Sequence, residues 1–169
     1  LKHSRLLPIT GLLLGMLVWL ANNGNPPTGK SAAPFDGNCN DCHSGGTFNG
    51  NITVTGFPAA ADPGVTYDIN VKMTVTAGSP TKAGFQLVVV DANNGNCGDL
   101  KEAVPDLGTE FFATREYVEH RNGKNFAGGM VSWDFQWVAP AFVPGNTVKA
   151  YYIVNMVNNN GGSGGDNPV

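Results

Sequence analysis

Two thiols and an imidazole stand together in Cys39-Asn40-Asp41-Cys42-His43. Cys-x-x-Cys-His is the attachment sequence for c-type haem. Thiols two residues apart reach the two vinyl groups along one porphyrin edge and add to them as thioethers. The imidazole that follows then swings beneath the ring and donates to the iron. One haem c, bound covalently through Cys39 and Cys42 and ligated by His43, is therefore the expected cofactor. Competing chemistries fit less well. A redox dithiol of this spacing belongs beside a βαβ pattern, which is absent. A zinc site needs further ligands, and the remaining thiol, Cys97, stands alone far along the chain. A disulfide closing so small a loop gains little entropy.

The iron has a second axial position. The other histidines are His3, in the signal-like N-terminal segment, and His120. His120 ends the strand-like segment Tyr117-Val118-Glu119-His120, from which an imidazole can overlie a haem-bearing loop. The expected metal ligands are thus His43 and His120, with Glu116 or Glu119 as the acceptor behind an imidazole. Met130, after Gly128-Gly129, is the alternative sixth ligand, whereas Met73 and Met156 alternate with apolar residues and read as packing. Cys97, between Asn96 and Gly98, reads as a free, solvent-facing thiol, or as one half of an intermolecular disulfide. No nucleophile–base pair or paired carboxylates stand out, so single-electron relay is expected rather than catalysis.

Residues 1–21 have their own logic. Lys2, His3 and Arg5 precede the apolar run Leu6 to Leu20, and the small residue Ala21 follows. That is the pattern of a secretory signal. The run is short for a membrane-spanning helix, and Trp19 makes a poor cleavage position, so the segment reads either as a signal or as an uncleaved anchor that attaches the chain to a membrane. Export to the periplasm, cell surface or extracellular space follows. Asn22 to Pro34, rich in Asn, Gly, Pro and Ser, reads as a flexible linker. Residues 35–169 then form the one domain. The formal charge of −3 comes without a basic patch, which argues against nucleic acid as a partner.

From Asn51 onward the apolar period is two. Tyr67–Thr76 alternates almost perfectly, with Ile69, Val71 and Met73 on one face. Val131–Val138 and Thr147–Val157 behave likewise, and Trp133 and Trp137 read as core. Phe85–Val90 is continuously apolar, as in a strand covered on both faces, and Asp91 to Asn96 closes it with turn chemistry. Shorter candidates are Ile52–Phe57, Glu110–Ala113 and Glu116–His120. About seven short strands between turns predict an all-β protein, a two-sheet antiparallel sandwich. The motif, flanked by Gly37, Gly45 and Gly46, falls on a loop ahead of the first strand, with a single helical turn at Asn38–His43.

Several stretches carry a family likeness: Gly56-Phe57-Pro58, Pro63-Gly64-x-Thr66-Tyr67-x-Ile69-x-Val71, Gly84-Phe85-Gln86-Leu87, Tyr117-Val118-x-His120, Trp133-x-Phe135-x-Trp137-x-Ala139-Pro140 and the tail from Asn158 to Asp166. In this order they resemble the reeler-like domain of bacterial surface proteins, also labelled choice-of-anchor V, over about Asn51 to Asp166. The resemblance implies an immunoglobulin-like β-sandwich, exported or displayed on the cell surface. Some members carry a Cys-x-x-Cys-His-Ser-Gly stretch before the first strand, as Cys39–Gly45 does here. The pattern departs at Val169, where a last strand and a sorting tail are expected. Together these readings lead to an exported monohaem electron carrier. Its partners would be redox proteins or extracellular electron acceptors, with self-association open through Cys97. The rival functions are a surface adhesion module with a structural haem or disulfide, and a haem sensor or enzyme with an open sixth position.

Overall fold

The computed structural model describes residues 24–169, so the signal or anchor reading of residues 1–21 lies outside the described residues. The chain runs through a 3-10 turn, Cys39–Asp41, and then β1 (Ser44–Gly45), β2 (Asn49–Thr55), β3 (Thr66–Ala77), β4 (Lys82–Val90) and β5 (Asp99–Glu102). It continues through β6 (Leu107–Phe112), β7 (Arg115–His120), β8 (Lys124–Asn125) and β9 (Met130–Val138). After a second 3-10 turn, Pro144–Asn146, come β10 (Lys149–Val157) and β11 (Gly164–Pro168). One sheet has the order β1-β11-β10-β4-β7-β6, with β8 beside β4, and the other has the order β2-β3-β9-β5. The protein is an all-β, two-sheet sandwich. It departs from the purely antiparallel expectation at one edge, where β1 and β11 pair parallel.

The alternating strands bury the faces their sequence marks. Ile69, Val71 and Met73 of β3 and Val131, Trp133, Phe135 and Trp137 of β9 meet Phe85, Leu87 and Val89 of β4 and Val154 and Met156 of β10 in one core. Each such side chain contributes about 1.5–3 kcal/mol by leaving water. Phe85 stacks on Trp133 with ring centroids 4.6 Å apart, which ties the two sheets together at their centre. Cys97 belongs to this core, at 2% exposure. Its expected solvent-facing position, and with it the intermolecular disulfide, is therefore corrected. Its carbonyl accepts the Trp137 indole N–H at 2.8 Å, which fixes that stretch of backbone inside the sandwich.

Every residue of β4 from Ala83 to Val90 is buried, so its outer face is covered too. The cover is the stretch read as a linker. Residues 24–36 cross the outside of the larger sheet as a strap, in which Ser31 and Ala33 are buried. Ala33 packs with Val88, Val90, Tyr117 and Tyr151. The strap has no regular structure because its backbone groups find their partners on the sheet's side chains. Lys30 N–H donates to Gln86 Oε1, and Gln86 Nε2 donates to Pro27 O at 3.3 Å. Asp36 anchors its far end, accepting from Ser31 Oγ, Arg115 Nη1 and the Tyr117 hydroxyl at 2.6, 2.9 and 2.9 Å. Composition alone marks this stretch as flexible, but burial and long-range hydrogen bonds hold it down.

Candidate functional site

The strap delivers the chain to the Cys39–Asp41 turn, and the two residues between the cysteines build that turn. Asn38 Oδ1 accepts from Asn40 N–H at 2.7 Å, while Asp41 Oδ2 accepts from Asn38 N–H at 3.1 Å. This reciprocal cap closes the turn. Cys39 O then accepts from His43 N–H at 2.9 Å, which carries the turn through to His43. Lys30 Nζ donates to Asp41 Oδ2 at 2.6 Å, pinning the turn to the strap. That ammonium, followed by the Asn38 amide, holds the Asp41 carboxyl below its ordinary pKa. Gly37 has no room for a side chain here, since a Cβ would run into Asp41 and Lys30.

Both motif cysteines are free thiols. Cys39 is half-buried and Cys42 is exposed. Burial, reinforced by the Asp41 charge, pushes the Cys39 thiol up to about 12, so it is protonated at neutral pH. His43 is partly exposed, and its Nδ1 lies 2.7 Å from Asp166 Oδ2. A carboxylate only accepts, so Nδ1–H is the donor. The expected acceptors, Glu116 and Glu119, are engaged elsewhere. Glu116 accepts from Leu100 N–H, and Glu119 accepts from Asn25 and Gln86. Asp166 accepts from the His43 ring instead, and the sequence marks it only as the end of the family-like tail from Asn158.

The turn packs against β10 and β11. In the next strand pair, Asn155 of β10 sits opposite Gly84 of β4. A side chain at Gly84 would occupy the space taken by the His120 imidazole, so that ring lies directly over the glycine. The β4–β7 ladder stops at Gln86 and Glu119, and the His120 side chain takes over beyond it. Its Nδ1 is 2.9 Å from Phe85 N and 3.0 Å from Phe85 O. Phe85 N–H donating to Nδ1 leaves the proton on Nε2, whereas Nδ1–H donating to Phe85 O leaves Nε2 bare, so the Phe85 peptide meets either neutral tautomer. Burial lowers the His120 pKa, opposed by the Phe85 carbonyl and aided by the nearby His43, so the ring is neutral at physiological pH. Thus the motif turn packs against β10 and β11, and the His120 ring lies over Gly84 of the neighbouring strand β4 in the same sheet. Asn155 is buried beside them, and its Oδ1 has no hydrogen-bond partner among the described residues. Met130 is exposed at the start of β9, on the outward face of the other sheet, which removes it from this group.

No protein-family model matches the chain, and no curated protein matches it. Among solved structures, the Reelin-N domain of F-spondin is similar, with 17% identity, a TM-score of 0.43, and coverage of 78% of this chain and 93% of its own. The human F-spondin reeler domain has 17% identity, a TM-score of 0.37, and coverage of 75% and 91%. A DUF4466 family protein from Parabacteroides merdae has 10% identity, a TM-score of 0.37, and coverage of 75% and 44%. Two of the three are reeler domains, the family the sequence resembles, but likenesses this distant carry no function to the chain. Among the described residues, no helix is long and apolar enough to cross a membrane.

Proposed function

We propose that this chain is an exported monohaem c-type cytochrome that passes single electrons, with haem c on Cys39 and Cys42 and its iron between His43 and His120. One observation carries the reading. The His43 and His120 rings both have Nδ1 engaged, by Asp166 at 2.7 Å and by the Phe85 backbone at 3.0 Å, and His43 is near enough to help lower the His120 pKa. An imidazole tethered at Nδ1 presents Nε2, the form in which histidine ligates a metal. The donor set fits haem c: two unpaired thiols at the attachment spacing, two neutral-capable imidazoles, and an orphaned amide oxygen at Asn155 beside them. When bound, the haem supplies a one-electron iron couple.

The residues divide the remaining work. Cys39 and Cys42 would tether the haem, His43 and His120 would ligate its iron, and the capped turn holds the thiols at their spacing. Two imidazoles leave no open position for gas or peroxide, which favours electron relay over sensing or catalysis. Redox proteins or extracellular acceptors are the fitting partners, and the signal-like sequence of residues 1–21 supports export.

The test is expression of the exported protein with haem-attachment machinery. Intact mass should exceed that of the polypeptide by one haem that survives acid–acetone extraction. Reduced-minus-oxidised spectra should be low-spin and unresponsive to carbon monoxide. Cys39→Ala with Cys42→Ala should abolish the added mass, while Cys97→Ala should not. An unchanged wild-type mass would return the chain to the adhesion-module reading. A high-spin, carbon monoxide-binding spectrum would make it a sensor or enzyme.

A further inference from the structure

We infer that Asp166 is a positioning residue for the haem iron: it fixes the His43 ring in one tautomer and orientation and strengthens Nε2 as a donor. This inference rests on the cytochrome reading and adds a residue 123 positions away from the motif histidine. The carboxylate is 1% exposed. Its Oδ2 faces His43 Nδ1 at 2.7 Å, and its Oδ1 accepts from Asn158 N–H at 3.1 Å. Neither oxygen is free to turn away.

The backbone around it is equally constrained. Asp166 O accepts from Gly46 N–H at 3.0 Å, and Asp166 pairs with Gly45 in the parallel β1–β11 bridge. A Cβ at Gly46 would press on the Asp166 backbone. Asn158 and Asn160 both donate to Gly164 O, at 3.1 and 3.0 Å, latching the turn that leads into β11. Gly165, at φ 81°, adopts the left-handed backbone that lets the next residue aim inward, and a side chain there would strike Asn158 Nδ2. The tail from Asn158 to Asp166 is a mount for one carboxylate.

The chemistry follows from charge. An anion accepting Nδ1–H draws the proton toward itself and enriches Nε2 in electron density. A richer donor favours ferric over ferrous iron, so Asp166 lowers the midpoint potential. Asp41, the other acidic residue near the motif, is exposed and committed to Lys30 and Asn38, so it does not substitute.

Two variants separate the roles. Asp166→Asn keeps an acceptor oxygen and loses the charge, whereas Asp166→Ala loses both. In the apoprotein, nitrogen-15 correlation spectra of His43 should show a single Nδ1–H tautomer in wild type and Asp166→Asn, and a mixture in Asp166→Ala. In the haem-loaded protein the midpoint potential should rise from wild type to both variants. An unmixed tautomer in Asp166→Ala together with unchanged potentials would overturn the inference while leaving the cytochrome reading intact. Wild-type protein without covalent haem would sink that reading, and the tautomer measurement would then decide the positioning role by itself. If Asp166→Ala fails to fold, the potential of Asp166→Asn decides it.

Discussion

Gly84 is the residue on which the proposed sixth ligand turns. It has no side chain, and the His120 imidazole occupies the space where one would be. Its backbone is not in the left-handed region, so alanine meets no conformational objection and even gains about 0.5–1 kcal/mol in a strand. Any disturbance in Gly84→Ala must therefore come from the ring. We predict that this variant displaces His120 from Phe85, giving haem-loaded protein with high-spin character and new carbon monoxide binding. Optical and paramagnetic resonance spectra would check it, and an unaltered low-spin spectrum would remove His120 from the iron. A second residue tests electrostatics away from the site. Burial raises the Glu116 pKa, more than the Leu100 amide lowers it, and Asp99 adds to the rise. Between the ordinary carboxyl value and that raised value the folded state binds more protons than the unfolded, so this contribution is present at low pH and is lost as pH rises. Glu116→Gln keeps an oxygen for Leu100 N–H and removes the charge. It should be more stable than wild type at pH 7, with the advantage shrinking toward pH 4 in urea titrations.

At the scale of elements, the strap is held by a buried ion pair. Asp36 and Arg115 have side chains 4% and 8% exposed, with Nη1 and Oδ1 2.9 Å apart. Removing one partner strands the other. Asp36→Ala should cost about 3–5 kcal/mol, read as a lowered urea midpoint, while the far-ultraviolet spectrum stays β-dominated. A loss below about 1 kcal/mol would mean that the strap is loosely held. The elements also divide by how legible they were. β3, β4, β9 and β10 announce themselves because one or both faces are apolar, and their boundaries fall within three residues of the expected ones. β1, β5, β8 and β11 did not, since they are short and mostly polar, held by backbone pairing that leaves little trace in side-chain pattern. The strap was misread for a related reason: its partners Gln86, Glu110, Arg115 and Tyr117 lie 56 to 82 residues away. The motif and His120 were legible from residue type and position, but Asp166 and Gly84 acquire meaning only once β11 and β4 are placed.

For the whole molecule, the site occupies one outer face of the sandwich, and the core behind it joins the two sheets through Phe85 and Trp133. The face is stitched together from both ends of the described chain, because the motif turn arrives on the strap and its imidazole is met by β11, the last strand. This wiring sets a clock. A growing or emerging polypeptide presents Cys39 and Cys42 well before the residue that closes over His43, 123 positions later, and contacts so far apart in sequence form slowly. For that interval the thiols are unhindered and His43 is loose, which is when modifying enzymes have access. A chain stopped before Gly164 should therefore stay in the receptive state. It would accept haem at least as fast as the full-length chain in a timed attachment assay, yet fail to develop the mature low-spin spectrum. Equal maturation of the shortened chain would show that the final strand does not govern the order of assembly.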